Sequence, residues 1–510
     1  MKLNVSGFIV FLFFTAGIAF ADDVPSSEEG EDAEAARLRE IIKYGTDNEI
    51  SDLIKNLRSE KIDYLDEDLL QLAKKTKNQN ITLGIFSFLG ERSRTGMEEL
   101  ALAILENREN ETPQKINAAL DYLSAVKEKA AIRPMTEIIT SDDTRFDGTA
   151  IRALGKILYS EQATREAANS GVGDAVREDV SGAAETSLPE AGGMAVDALP
   201  EAGPAGAADN ATQNMTAAVG NEWITEILID YYNEREPDSD TQQTIISAVG
   251  SSGGKAAESF LLEIINNDEA SVPLRMSALE AAAKMGSPAL LEPTLAAVSS
   301  DNPNIRSAAV GALGVFDGDE VDAAILESFR DTYFKTRLAA VRAVKKRNLK
   351  EAIPYLRYRA EKDEAAAVRE EAVTTLGTLN DAEADKALLA LFNNTKISDT
   401  LRVLCAETLI KNNADAYAET VIEKLDEAKA RKQTVLYKGL LKAISLAKTS
   451  KVETITARLF ASSDVVEKFY ALDMTANNRF TAFKSEVEKL TQEKNSTLSR
   501  RAKNTLDKLG

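Results

Sequence analysis

The 510-residue chain contains no histidine and a single cysteine, Cys405. The first absence excludes imidazole acid–base catalysis, serine–histidine and cysteine–histidine nucleophile pairs, and every histidine-ligated metal centre. The second excludes an internal disulfide and a thiolate zinc cluster. Aromatic residues make up 6% of the chain against 44% apolar residues in all, so there is enough apolar matter to fold but few large rings in it. A chain so poorly stocked for chemistry is expected to carry no catalytic, cofactor-binding or metal-binding residues, and not to be an enzyme.

At the start, Lys2 precedes an apolar stretch from Val5 to Phe20, and Ala19-Phe20-Ala21 offers small residues for cleavage before Asp22. The stretch contains Ser6, Gly7, Thr15 and Gly17 and falls short of the roughly 20 residues needed to span a bilayer. Residues 1–21 therefore read as a secretory signal peptide, with a retained membrane anchor as the alternative. No cysteine stands nearby to take a lipid. The mature chain is expected in the periplasm, or else secreted, without stable membrane insertion.

The net charge of −21 is concentrated in two places. Residues 22–36 hold seven acids and no lysine, and residues 161–220 hold ten acids against Arg165 and Arg177. The first reads as an acidic disordered terminus. The second, rich in Ala, Gly, Glu and Pro, cannot bury enough apolar surface to offset chain entropy and reads as a disordered insertion. It separates residues 37–160 from 221–510.

Outside the insertion one pattern recurs. Arg275, Arg306, Arg337, Arg369 and Arg402 follow at intervals of 31, 31, 32 and 33 residues. Three positions after each stands Ala278, Ala309, Ala340, Ala372 or Cys405, and seven after stands Ala282, Leu313, Val344, Leu376 or Leu409. Offsets 0, 3 and 7 share one helical face, so each copy presents one stripe whose small central residue admits a neighbouring helix. Each unit reads as two helices, opened by signals such as Asp301-Asn302-Pro303 and divided by polar turns such as Asp317-Gly318-Asp319. The expected fold is all-α: an α-solenoid superhelix of about 12–13 antiparallel helix pairs, each burying its stripe against the next. The repeated arginines are expected to bond acids of adjacent repeats, with Asp268, Asp301, Asp331 and Asp363 as candidates.

The segment Arg306 to Gly314, and nearly so Arg369 to Gly377, has the form Arg-x-x-Ala-x-x-x-Leu-Gly. It resembles the HEAT-repeat family, in particular the short bacterial form named after phycobilisome lyases. That resemblance implies a curved scaffold that binds proteins, with second helices lining the concave side.

Three lookalike motifs read as parts of the repeats. Gly250-Ser251-Ser252-Gly253-Gly254-Lys255-Ala256 has Val249 and Ala256 where a phosphate loop needs Gly and Ser or Thr. Asp317, Asp319, Glu320 and Asp322 lack the glycine and closing glutamate of a calcium loop. Ser124-Ala125-Val126-Lys127 has no accompanying Lys-Thr-Gly.

One region exceeds what a repeat requires. Between Lys335 and Lys362 ten bases face only Glu351 and Glu361, with Tyr333, Phe334, Tyr355 and Tyr358 among them. Residues 431–510 are also basic, sixteen bases against eight acids. The sequence therefore points to a non-enzymatic exported scaffold for protein–protein interaction, its docking surface formed by Tyr355, Arg357, Tyr358 and Arg359 with Lys345, Lys346 and Arg347. An acidic protein is the expected partner and nucleic acid is not; end-to-end self-association through oppositely charged halves is a further partner class. The alternatives are a wall-polymer or anionic-surface binding protein, and a lyase-like or carboxylate-dependent enzyme.

Overall fold

The computed structural model describes residues 27–60, 65–169 and 222–509. The signal segment 1–21 and the greater part of the insertion lie outside the described residues. Every regular element among the described residues is helical, as the repeat pattern requires.

Two compact units divide at Met135 and Thr136, so the division does not fall at the insertion. In the first, α1 (Ser27–Tyr44) leads into α2 (Asp47–Glu60), α3 (Asp66–Ala73), α4 (Gln79–Glu91), α5 (Glu98–Glu106) and α6 (Pro113–Ala125). Its first helices stack, α2 on α4 and α4 on α6. Helix α1 covers residues 27–36 of the terminus expected to be disordered. Its run of Glu, Ala, Arg and Leu has high intrinsic helix propensity, which acidity at a helix start assists.

Helix α7 (Ile132–Ile139) contains the division. The second unit continues with α8 (Asp147–Asn169), α9 (222–234), α10 (Ser239–Ser252), α11 (Lys255–Asn266), α12 (Val272–Met285) and α13 (Leu291–Ala297). Next come α14 (Pro303–Leu313), α15 (Asp319–Ser328), α16 (Phe334–Arg347), α17 (Ile353–Lys362), α18 (Ala366–Thr378) and α19 (Ala382–Asn393). The chain closes with α20 (Asp399–Ala430), α21 (Thr434–Ser445), α22 (Glu453–Phe460), α23 (Val465–Asn478), α24 (Lys484–Leu490) and α25 (Ser496–Leu509). First helices pack in series, α8 on α10, α12, α14, α16, α18, α20, α21, α23 and α25 in turn.

The insertion falls inside a repeat, between α8 and α9. Helix α8 runs into the predicted disordered segment as far as Asn169, and beyond the gap the Tyr231 hydroxyl of α9 donates to Asp147 at 2.7 Å. The 95-residue step from Asp147 to Gln242 is thus one interrupted repeat.

Local signals fold as their chemistry dictates. The Asn302 side chain accepts from the Asn304 amide at 2.9 Å, and Pro303 opens α14. Ala278, Ala309, Ala340, Ala372 and Cys405 are fully buried, and so are Ala282, Leu313, Val344, Leu376 and Leu409. Cys405 fills an alanine slot where burial pushes its thiol up to about 12, which makes it a packing residue rather than a nucleophile. Where the stripe ends in glycine, the next repeat closes in: a Cβ on Gly250 would lie 2.9 Å from the Ala281 Cα. In α20 the two helices of one repeat join without a loop, through a single break at Asn413 (φ −153°, ψ 86°), whose side chain accepts from the Ala416 amide.

Candidate protein-interaction surfaces

The repeated arginines form a relay through the second unit. Arg306 donates through Nη1 to the carbonyls of Ser300 and Asp301 in its own repeat. Its Nε and Nη2 meet the Asp331 carboxylate of the next repeat at 2.7 and 3.1 Å. Arg337 repeats this, holding the Asp331 and Thr332 carbonyls and forking onto Asp363 at 2.7 and 2.8 Å. Arg369 holds the Asp363 and Glu364 carbonyls. Arg275 bonds Asp268 within its own repeat, and Arg402 bonds Asp399 and the Phe392 carbonyl. The expected inter-repeat contacts thus occur at Arg306 and Arg337, while Asp301 contributes its carbonyl, not its carboxylate.

Burial alone would push the Asp331 and Asp363 carboxyls up. The arginine forks and the backbone amides of Tyr333 and Ala365 outweigh it and hold both below the usual carboxylate range. A depressed folded-state pKa means that, on acidification, the unfolded chain takes up protons first. The stability these carboxylates contribute is complete above the unfolded value of about 4 and is lost as pH falls through the folded values. Urea melts of the full chain should show stability falling from about pH 5 to about pH 3, with a shallower fall in Arg337→Met.

Of the seven residues of the predicted docking surface, Tyr355, Tyr358 and Arg359 line one 460 Å³ cleft beside Phe329, which Lys346 and Arg347 do not join. Arg357 and Tyr358 on α17 are exposed, Tyr358 to 58%. Tyr355 packs its ring 5.5 Å from Phe329. Arg359 turns back to donate to the Phe329 carbonyl and pairs with Asp363 at 3.5 Å. Arg347 leaves the set altogether. It sits between repeats, bonding Asp322 at 2.7 Å and Asp317 at 3.1 Å, and this pairing also accounts for two acids of the calcium lookalike. Lys345 lies 4.0 Å from Glu371. Lys346 belongs to a different place.

That place is an 810 Å³ groove across α12, α14 and α16. Met276, Ala308, Gly311 and Leu338 form part of its apolar lining, and Val315 and Phe334 stand partly exposed over it. Lys335, Arg342 and Lys346 line it too, and none forms an ion pair with a described residue. Glu280 is the acid in this lining. Sequence reasoning counted these bases but missed the groove: its lining falls one, five and nine positions after each repeat arginine, but those positions hold unlike residues in the three helices, Met276, Ser307 and Leu338, then Glu280, Gly311 and Arg342, then Lys284, Val315 and Lys346. Exposed apolar side chains gathered in a concavity are the informative exception on a soluble surface.

The lookalike motifs resolve as turns and packing. Gly253 (φ +74°) and Gly254 (φ +90°) form the α10–α11 turn, and Ser124 is buried with its hydroxyl on the Asp121 carbonyl. Among the described residues no helix is long and apolar enough to cross a membrane.

Paired helices, buried small-residue stripes and an inter-repeat arginine relay define a HEAT-repeat α-solenoid. The chain belongs to the family of spirochaete HEAT repeat proteins, whose pattern matches residues 42–505. Among solved structures it is similar to yeast importin-β, Kap95p, at 11% identity and a TM-score of 0.49 over 92% of this chain and 65% of that one. It is also similar to Kap121p at 12% identity and a TM-score of 0.41, over 94% of this chain and 54% of that one. The chain thus spans about half the length of Kap121p. No curated protein sequence matches it.

Proposed function

We propose that this protein is an exported, non-enzymatic scaffold that docks an acidic protein partner, and that the α12–α14–α16 groove is the docking surface. The observation that carries this reading is the combination of an apolar lining with Lys335, Arg342 and Lys346, bases that have no carboxylate of their own. Such a groove suits a segment whose apolar side chains enter it while its acids meet the bases. Export rests on the signal-like start of the sequence, and the lack of catalysis on its composition.

The exposed Arg357 and Tyr358 of α17 support a second docking position on the second-helix side. The two are separated by one experiment, crosslinking in intact cells followed by mass spectrometry. Arg342→Glu with Lys346→Glu should cut partner recovery by roughly tenfold, while Arg357→Glu leaves it unchanged. The reverse result moves the surface to α17, and undiminished recovery in both rejects the basic region as the docking site.

A further inference from the structure

The arginine relay last crosses between repeats at Arg337, Arg369 bonds only the carbonyls before its own helix, and the repeat that follows has the makings of a ligand site. Arg306 and Arg337 each fork onto a carboxylate three residues before the next first helix, Asp331 before Phe334 and Asp363 before Ala366. The residue at that place before α20 is Lys396, and before α21 it is Arg431. A base therefore stands where the pattern calls for an acid.

Arg402 keeps its buried position at 4% exposure. Its Nε donates to the Phe392 carbonyl at 3.0 Å and its Nη1 to Asp399 at 3.2 Å, while its Nη2 bonds no described residue. Beside it is a 240 Å³ cavity lined in part by Asn393, Thr395, Lys424, Arg431 and Gln433. Glu427 also lines it, but that carboxylate is held by Lys424 at 3.1 Å. Arg431 makes no ion pair with a described residue, and Arg402 meets a carboxylate through Nη1 alone, not through a two-donor fork.

We propose that this cavity between α20 and α21 binds a carboxylate, which takes the place that Asp331 and Asp363 hold in the preceding repeats. The relay identifies the ligand class, since Arg306 and Arg337, at this register of earlier repeats, each meet a carboxylate with two parallel N–H donors. The carboxylate comes either from a free small dicarboxylic acid or from an acidic side chain of a protein. This site is separate from the α12–α14–α16 groove and stands whether or not that groove binds a partner.

Thermal melts of the full chain at constant ionic strength test it, with sodium succinate and a pentaglutamate peptide as probes and sodium chloride as reference. Succinate or pentaglutamate should raise Tm in a saturable way, as a ligand of the folded state does, and the one acting at lower concentration identifies the source. Arg431→Asp restores the missing acid. It should melt above the unsubstituted chain in chloride and lose the response to both probes, and Arg402→Lys should lose the response as well. The proposal is overturned if neither probe shifts Tm beyond chloride, or if Arg431→Asp responds as the unsubstituted chain does. A larger response to inorganic phosphate than to either probe also overturns the assignment to carboxylate.

Discussion

Replacing Arg337 with methionine should lower the stability of the second unit by about 3–5 kcal/mol, because it strands the Asp363 carboxylate in a buried position. Arg337 and Asp363 are each 4% exposed, and the pair also ties down the Asp331 and Thr332 carbonyls. Removing the guanidinium takes a donor from five acceptors: both Asp363 oxygens, the Asp331 and Thr332 carbonyls, and Glu364. A urea melt read by circular dichroism checks the magnitude. The paired replacement Arg337→Met with Asp363→Leu should recover most of the loss, since an apolar pair avoids the desolvation of both ions. If the double variant is as unstable as the single one, the carbonyl contacts, and not the ion pair, are what Arg337 supplies.

The shape of that transition matters as much as its midpoint. In a repeat array each unit is stabilised chiefly by its neighbours. Loss of the Arg337–Asp363 link weakens the join between the α16–α17 and α18–α19 repeats, so unfolding of the variant should broaden or split.

Gly250→Val should have the second largest effect, about 1–3 kcal/mol of destabilisation from overpacking. A Cβ at this position would lie 2.6 Å from the Ala281 Cβ, 2.9 Å from its Cα and 3.0 Å from its carbonyl oxygen. Backbone cannot move aside as a flexible side chain does, so α10 and α12 must separate. Gly311→Ala is the control, since a Cβ there meets nothing within 4 Å. Equal stability of Gly250→Val and the unsubstituted chain would show that the two helices are not held at this distance. Because Gly311 lines the α12–α14–α16 groove, its alanine variant also reports whether the groove tolerates an added methyl group.

Much of the α12–α14–α16 groove was legible as charge, and little of it as geometry. Lys335, Arg342 and Lys346 stood out as members of a basic stretch, but so did Arg347 and Arg359, which the fold uses internally. A sequence shows that a base is present. Whether an acid of the neighbouring repeat reaches it depends on stacking, and Arg347 meets Asp322 and Asp317 on the preceding helix pair while Arg342, one and a half turns earlier, meets none.

The sequence by itself determined the helical class, the repeat length, the buried stripe and the alanine-like role of Cys405. Each of these follows from spacing within one helix, where 3.6 residues per turn decides which side chains share a face. The 95-residue step from Asp147 to Gln242 also showed an insertion within one repeat. Only the tertiary structure decided which of the candidate acids, Asp331 and Asp363, the relay uses, and that α12, α14 and α16 enclose a groove. Those depend on how successive helices lie against one another. The distances involved arise between residues some 25 to 70 positions apart in the chain, and periodicity within one helix carries no information about them.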